Sequence, residues 1–236
     1  MATPHDTTNL DATLETLARL DLQRRLRWAA EQFPGRAAFS TSLGQEDQVI
    51  TDAIWRHDLP IRVFTLDTGR LFAETYELLD ATRARYGRSI EVFFPDTAAV
   101  EALVSAKGHH SFRESVPARR ECCDIRKVAP LGRALEGVDL WITGLRRDQS
   151  ANRHVVPILE WDDGHRLFKY NPLVDWSYEA VVDYIGAHDV PDNALHRRGF
   201  VSIGCAPCTR ATAPGEDPRA GRWWWETSKK ECGLHR

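Results

Sequence analysis

The chain has 236 residues, of which 42% are hydrophobic and 28% charged, proportions that exclude a disordered or fibrous class. The 31 basic and 34 acidic residues leave a formal net charge of −3, so charge does not favour nucleic acid or a membrane surface as a partner. The sequence shows neither an apolar run of the roughly 18 residues that a membrane helix needs nor the basic and apolar regions of a secretory signal.

Hydrophobic periodicity predicts the main elements. Leucines at helical spacing predict one amphipathic helix over about residues 10–32. Short apolar runs then predict strands at 37–41, 61–66, 90–94 and 140–143, with helical patterns through 49–55 and 71–86. Strands that alternate with helices predict an α/β fold with a parallel sheet. We divide the chain into an N-terminal helix (1–36), an α/β domain (37–215) and a C-terminal segment (216–236).

The loop after the first predicted strand, residues 40–47, opens a helix. Ser40, Ser42 and the backbone at Gly44 are placed to hold an anion such as phosphate. The loop lacks the Gly-Lys-Ser/Thr ending of a Walker loop, which disfavours an ordinary P-loop NTPase. Taken alone, the loop is better explained as an ordinary helix-capping cluster of Ser, Thr and Asp.

Two further loops follow predicted strands, at the edge where open parallel sheets bind ligands. One is Leu66-Asp67-Thr68-Gly69, and the other contains Gly144 and Arg146. Glycine lets a ligand approach the backbone, and arginine can meet an anion. Each loop alone is compatible with a solvated turn, but the three together predict a nucleotide site.

The five cysteines are Cys122, Cys123, Cys205, Cys208 and Cys232. An odd number with two adjacent members does not suit a full disulfide framework. We therefore expect a reducing, cytoplasmic location, where clustered cysteines more often bind metal or react than cross-link.

Two cysteine pairs, Cys122-Cys123 and Cys205-x-x-Cys208, can together supply the four thiolates of a zinc site or an iron–sulfur cluster. Adjacent cysteines chelate one small ion poorly, whereas a cluster with separated irons can use both. Lys127 would share a helix face with Cys123 and reach an anionic ligand. Buried structural cysteines, or a redox pair at Cys205, remain alternatives.

Cys232 has a different setting, behind Lys229 and Lys230 and near His235. Neighbouring cations favour the thiolate and therefore nucleophilic attack. A terminal segment is expected to be mobile, so this thiol can visit a site and leave it. An exposed tail cysteine without a role is the alternative.

The segment before this cysteine contains Arg219, Arg222 and three consecutive tryptophans, Trp223 to Trp225. The arginines can neutralise phosphate or sulfate oxygens. The tryptophans are compatible with a core, an interface that supports self-association, or a nucleotide stack.

Together these motifs resemble the assimilatory sulfonucleotide reductases, specifically the iron–sulfur adenylyl-sulfate (APS) reductases. The most specific parts are Cys122-Cys123 with Arg126-Lys127, the pair Cys205 and Cys208, and Lys-Lys-Glu-Cys-Gly-Leu-His at 229–235. Residues 40–47 look like the modified PP-loop of the adenine-nucleotide α-hydrolase-like fold, and residues 66–69 like its LDTG element. The related reductases of the 3′-phosphorylated nucleotide, PAPS, usually lack both cysteine pairs.

The resemblance implies a thioredoxin-dependent reduction of APS to sulfite and AMP. Cys232 would attack the sulfur of APS, and the four other cysteines would bind one 4Fe–4S cluster per chain, with Lys127 between cluster and substrate. The substrate-binding residues implied are Ser40, Ser42, Gly44, Leu66, Thr68, Lys127, Gly144, Arg146, Arg219, Arg222 and His235.

Three alternatives remain at this point. The first is a reductase that uses PAPS or both nucleotides. The second is an ATP-using adenylyl transferase or thiolation enzyme, although such enzymes usually have a fuller Ser-Gly-Gly-x-Asp-Ser loop. The third is a zinc-stabilised nucleotide-binding module without enzymatic activity.

Overall fold

The computed structural model describes residues 7–149 and 156–226. The helices are α1 (Thr7–Ala18), α2 (Leu22–Gln32), α3 (Gln45–Arg56), α4 (Ala73–Tyr86), α5 (Thr97–Lys107), α6 (Val116–Cys123), α7 (Ala129–Ala134) and α8 (Tyr178–His188). The strands are β1 (Ala37–Thr41), β2 (Arg62–Leu66), β3 (Glu91–Phe93), β4 (Leu140–Ile142), β5 (Leu159–Asp162) and β6 (Leu167–Tyr170). A π-helical turn, Asp124–Val128, joins α6 to α7.

The six strands form one sheet in the order β3-β2-β1-β4-β6-β5. Only the pair of β5 and β6 is antiparallel; the other neighbours run parallel. The strand order reverses beside β1, because β2 and β3 lie on one side of it and β4 and β6 on the other. In such sheets, ligands bind outside the carboxyl ends of the strands at this reversal. The predicted α/β fold with a mostly parallel sheet is confirmed.

Apolar side chains cover both faces of the sheet. On one face the helices α1, α2, α3 and α8 contribute to a large buried cluster, for example through Leu17, Leu26, Ile50 and Val181. On the other face Leu131 of α7 packs within a smaller cluster. The sheet is thus the middle layer of three, which leaves its carboxyl edge for a site.

The N-terminal region holds two helices, so the prediction of one continuous helix was wrong. α1 ends at Ala18, and α2 begins after Asp21, whose carboxylate accepts a hydrogen bond from the Arg24 amide at 2.8 Å. Aspartate is a favoured N-cap because it satisfies an amide that has no partner within the helix. The helical spacing of the leucines continues through the break between α1 and α2, so the sequence pattern does not indicate that break.

The second helix is tied to the α/β domain by Arg25, which is 2% exposed. Its guanidinium donates to both carboxylate oxygens of Asp175 at 2.6 Å and to the Pro172 carbonyl at 2.8 Å. Because the surrounding apolar side chains of α2 also join the larger core cluster, residues 22–32 pack as part of this domain.

Beyond α8 the described chain folds back over the carboxyl ends of the strands. The Ala206 amide donates to the Arg70 carbonyl at 2.8 Å, just after β2, and the Trp223 amide donates to the Cys208 carbonyl at 3.1 Å. These hydrogen bonds bring the second cysteine pair and the tryptophan segment to the same edge as the strand-end loops. No helix in the described ranges is long and apolar enough to cross a bilayer.

Candidate functional site

A cavity of about 510 Å³ opens at the carboxyl ends of β1, β2 and β4. Small-molecule sites commonly measure about 300–1,000 Å³. The cavity brings together most of the predicted substrate-binding residues, which come from the strand-end loops, the π-helical turn and the segment beyond α8. They are Ser40, Ser42, Gly44, Leu66, Lys127, Gly144, Arg146, Arg219 and Arg222.

Thr68 takes a different place from its predicted one. The strand ends at Leu66, and the chain then turns through Gly69, whose φ of 69° suits glycine. Thr68 is therefore fully buried beside the cysteines, with its hydroxyl 3.3 Å from Cys205 Sγ, and it is not among the residues that line the 510 Å³ cavity.

The loop between β1 and α3 is held by Asp47. One carboxylate oxygen of Asp47 accepts hydrogen bonds from the Ser42 amide at 2.6 Å and from the Ser42 hydroxyl at 2.7 Å. These bonds flank Leu43, whose φ of 61° lies in the left-handed region that leucine seldom adopts. Asp47 thus fixes the conformation of the predicted anion-binding loop.

Asp47 also has a strongly shifted acidity. Burial raises the pKa of its carboxyl group to about 7, against the two hydrogen bonds from Ser42, while the Glu46 carboxylate adds to the rise. A buried carboxylate lacks the solvation that stabilises its charge. The carboxyl group therefore changes protonation near neutral pH. The sequence analysis did not single out Asp47.

Arg146, predicted to meet an anion, is paired with Glu46. Its Nε and Nη2 donate to Glu46 Oε1 at 3.0 and 2.9 Å, and its Nη1 donates to the Trp176 carbonyl at 3.3 Å. The guanidinium is 4% exposed and thus holds the loop after β4 against α3. Lys127, Arg219 and Arg222 bring further positive charge to the same cavity.

The four paired cysteines, predicted to be metal ligands, line a second, adjacent cavity. Cys122 and Cys123 end α6, where the backbone passes into the π-helical turn. Cys205 directly precedes a single 3₁₀ turn, and Cys208 is the last residue of that turn. Single π-helical turns occur frequently at functional sites, because they re-aim side chains within a helix.

Among the residues that the structure describes, every charged side chain that lines this cysteine cavity is basic. The residues are Arg70, Arg119, Arg126, Lys127 and Arg222. Two of them, Arg126 and Arg222, are buried and have an Nε atom without a hydrogen-bond partner in the described part of the chain. Such an arrangement is costly unless an acceptor occupies the cavity. The lining therefore suits an anionic group.

The thiols themselves are largely shielded from solvent. Burial raises the pKa of Cys208 to about 12, with the neighbouring Cys205 adding to the rise and Arg222 opposing it. Burial also raises the pKa of Cys122, against the charges of Arg70 and Arg126. A bound cation or cluster would favour the thiolate form of Cys122 and Cys208, because it compensates the negative charge.

The four cysteines and the basic side chains around them fit an anionic group held by thiolates. Four thiolates confer a net negative charge on an iron–sulfur cluster, and the basic lining matches that charge.

Lys127 and Arg222 belong to both cavities. Lys127 follows the first cysteine pair by one helical turn, and Arg222 lies close to the backbone of Gly204, just before the second pair. Charged groups bound in the two cavities would therefore interact electrostatically with each other. The predicted nucleophile Cys232 and the predicted substrate residue His235 lie outside the described residues.

The tryptophan cluster divides between core and surface. Trp223 is 2% exposed and lies between two guanidinium groups, with Arg119 Cζ at 4.5 Å and Arg222 Cζ at 4.9 Å from the ring centre. Trp224 is 39% exposed. Trp223 thus builds the wall of the cysteine cavity, a role that the run of three tryptophans in the sequence did not specify.

Taken together, the fold and the two cavities define a PP-loop-like nucleotide-binding protein, with its site at the strand reversal. The chain belongs to the phosphoadenosine phosphosulfate reductase domain family, whose sequence model matches residues 36–211. The predicted resemblance to sulfonucleotide reductases is thereby confirmed.

Curated relatives share more than half of their aligned residues with this chain. Adenosine 5′-phosphosulfate reductase of Agrobacterium fabrum is 54% identical over 231 residues, which cover 98% of this chain and 87% of that protein. The protein of the same name from Allochromatium vinosum is 55% identical over 199 residues, covering 84% and 78% of the two chains.

Solved structures share the fold. The phosphoadenylyl-sulfate (PAPS) reductase of Candida auris, crystallised with phosphate, is 28% identical with a TM-score of 0.77, and the match covers 89% of this chain and 99% of that one. FMN adenylyltransferase of Candida glabrata, with FAD and pyrophosphate, is 15% identical with a TM-score of 0.55, covering 95% and 76%. The second likeness concerns the fold alone.

Proposed function

We propose that this protein reduces adenosine 5′-phosphosulfate to sulfite and AMP in assimilatory sulfate reduction, with thioredoxin as electron donor. The observation that carries the proposal is the pairing of relatives at 52–55% identity that bear the name of this activity with a matching site. That site joins a nucleotide-sized cavity to a cavity of four cysteines through Lys127 and Arg222.

The nucleotide occupies the larger cavity. Its adenosine part lies against the strand-end loops, and its phosphosulfate extends toward Lys127, Arg219 and Arg222. Arginine and lysine form charge-assisted hydrogen bonds to phosphate and sulfate oxygens, which orient the anion and stabilise charge on the departing AMP.

The chemical step falls to Cys232. Its thiolate attacks the sulfur of the phosphosulfate, the bond from that sulfur to the bridging oxygen breaks, and AMP leaves with the bond's electron pair. The enzyme then carries an S-sulfocysteine. A thiolate of reduced thioredoxin attacks Cys232 Sγ, releases sulfite and forms a mixed disulfide, which the second thioredoxin thiol resolves. Thioredoxin supplies both electrons and ends as a disulfide.

Cys122, Cys123, Cys205 and Cys208 would bind one 4Fe–4S cluster, which would supply negative charge and structural order to this part of the protein. Arg70, Arg119 and Arg126 compensate that charge, and the hydrogen bond from Arg126 Nη1 to the Thr68 carbonyl, 2.6 Å long, ties the cavity to the end of β2. Lys127 lies where it feels both the cluster and the substrate anion. We place the protein in the cytoplasm, where the thiols stay reduced.

Intact-mass spectrometry tests the chemical step. The protein, purified without oxygen and mixed with APS but no thioredoxin, should gain the mass of one SO₃ group on Cys232. Added reduced thioredoxin should remove this adduct and release sulfite. The matched control Cys232→Ser should bind AMP as the wild type does and gain no mass. A wild-type protein that turns over without any adduct on Cys232 contradicts the mechanism.

Turnover with the two nucleotides, compared side by side, tests the substrate. We expect a higher kcat/KM for APS than for PAPS. The reverse order would make the protein a PAPS reductase, and ATP consumption without sulfite release would favour the adenylyl transferase alternative. A colourless protein that contains zinc would support the nucleotide-binding module instead.

A further inference from the structure

A buried ion pair joins the helix of the first cysteine pair to the last described residue of the chain. Arg119, on α6, is 2% exposed at its side chain, and Glu226 is 5% exposed. The Arg119 Nε atom donates to Glu226 Oε1 at 2.6 Å, across 107 positions of sequence. Neither residue belongs to the substrate or cysteine motifs of the sequence analysis.

Arg119 connects three parts of the site. It lies one helical turn before Cys123 and is hydrogen-bonded to it, and its guanidinium stacks on the Trp223 ring at 4.5 Å. An arginine guanidinium stays protonated in proteins and offers several N–H donors, so Arg119 can hold both partners.

The second cysteine pair reaches the same segment through the backbone, since the Trp223 amide donates to the Cys208 carbonyl at 3.1 Å. Residues 222–226 are thus fixed to both cysteine pairs. Cys232 follows Glu226 by six residues in the sequence. Six extended residues reach at most about 20 Å, so the position of Glu226 limits which points Cys232 can visit.

We propose that Arg119 and Glu226 are positioning residues, which anchor the start of the Cys232 segment to the wall of the cysteine cavity. Because of this anchor, Cys232 can reach the substrate only when the wall of the cysteine cavity is folded. The anchor limits the distance that Cys232 must travel to reach the phosphosulfate. This inference rests on the proposed function, because it assigns the pair a part in the attack by Cys232.

The variant Glu226→Gln tests the proposal, since it removes the charge and keeps the shape. We expect unchanged visible absorption and an unchanged Kd for AMP, because Glu226 is not among the described residues that line either cavity. The first-order rate of adduct formation on Cys232 at saturating APS should fall about ten- to a hundredfold, as expected when a reacting group is misplaced. Glu226→Asp should recover part of that rate.

The matched control is Glu121→Gln, on the same helix. Glu121 pairs with Lys107 at 2.7 Å, but both side chains are more than a third exposed. Loss of this pair should change neither the colour nor the adduct rate. An adduct rate in Glu226→Gln equal to that of the wild type would overturn the proposal, and so would a loss of visible absorption or of AMP binding in parallel with the rate.

Hydrogen exchange provides a readout that does not depend on activity. Amides of residues 223–232 should exchange faster in Glu226→Gln than in the wild type, whereas those of α6 should not. Equal exchange in both proteins would refute the anchor. If the wild type forms no adduct at all, the proposed function fails, and the exchange comparison still decides whether the pair anchors the segment.

Discussion

Gly144, at the end of β4, lies directly against the buried carboxyl group of Asp47. A β-carbon on Gly144 would overlap Asp47 Oδ1 and would also fall 3.3 Å from Glu46 Cβ. The loop after β4 and the start of α3 therefore touch where a β-carbon would displace the Asp47 side chain, and both segments line the nucleotide cavity.

Gly144→Ala should accordingly damage the cavity. The added methyl group must displace Asp47, which we expect to cost about 1–3 kcal/mol of stability, as overpacking usually does, and to weaken AMP binding. The matched control is Gly132→Ala in α7, where a β-carbon meets nothing within 4 Å. Urea unfolding and AMP titration of both variants check the prediction, and equal behaviour would contradict it.

Asp47→Asn should change how stability depends on pH. The folded-state pKa of Asp47, about 7, lies above the ordinary aspartate value of 3.8 that holds in the unfolded chain. The folded state therefore binds a proton that the unfolded state has lost, and this contribution to stability is full below pH 3.8 and disappears as the pH rises to about 7. The slope is at most about 1.4 kcal/mol per pH unit.

Asparagine does not titrate, so the stability of Asp47→Asn relative to the wild type should rise from pH 5 to pH 7 and then level off. Urea midpoints of the two proteins at pH 5, 6, 7 and 8 measure this difference. A difference that stays constant over the series would show that Asp47 remains ionised in the folded protein.

Replacement of any paired cysteine by serine should remove the visible colour of the anaerobically purified protein. Serine cannot replace a thiolate at a cluster, and the buried arginines would then lack their anionic partner. Cys123→Ser and Cys208→Ser sample the two pairs, and Cys232→Ser, which lies outside them, should keep the colour. An unchanged spectrum and iron content in Cys123→Ser would refute ligation there.

Arg222→Ala should affect both cavities. Its guanidinium packs on the backbone at Gly204 and donates to the Ile203 carbonyl at 3.1 Å, and it lines both the nucleotide and the cysteine cavities. We expect weaker APS binding by about 1.5–3 kcal/mol, the usual worth of a charged hydrogen bond. Arg210→Ala, whose exposed partner is Glu216, is the control in a binding titration.

The alternation of strands and helices was predictable from sequence because it depends on local periodicity. The four predicted strands occur within one or two residues of their expected ends. The break at Asp21 was missed because hydrophobic spacing does not register a change of helix axis. The short strands β5 and β6 and the π-helical turn were missed because their stability comes from neighbours in space.

The cysteine pairs and strand-end loops could be found in the sequence because each is a local group of chemically distinctive residues. That the strand-end loops lie at one edge could also be predicted, because ligands bind at the carboxyl ends of the strands in a parallel sheet. This prediction did not require knowledge of the contacts. Thr68 shows the limit of that reasoning, since the turn after Leu66 sends it toward Cys205 rather than into the nucleotide cavity.

Composition and charge at first only excluded partners, and the near-neutral net charge of −3 gave no sign of an anion site. The chain order does specify the α/β alternation and the unlike settings of the cysteines, since both arise from neighbours in sequence. Only the tertiary structure brings five basic side chains together around four thiols. It also places Gly144 in contact with Asp47 and pairs Arg119 with Glu226. These contacts join residues far apart in the chain, and their energies depend on burial, which no local pattern records.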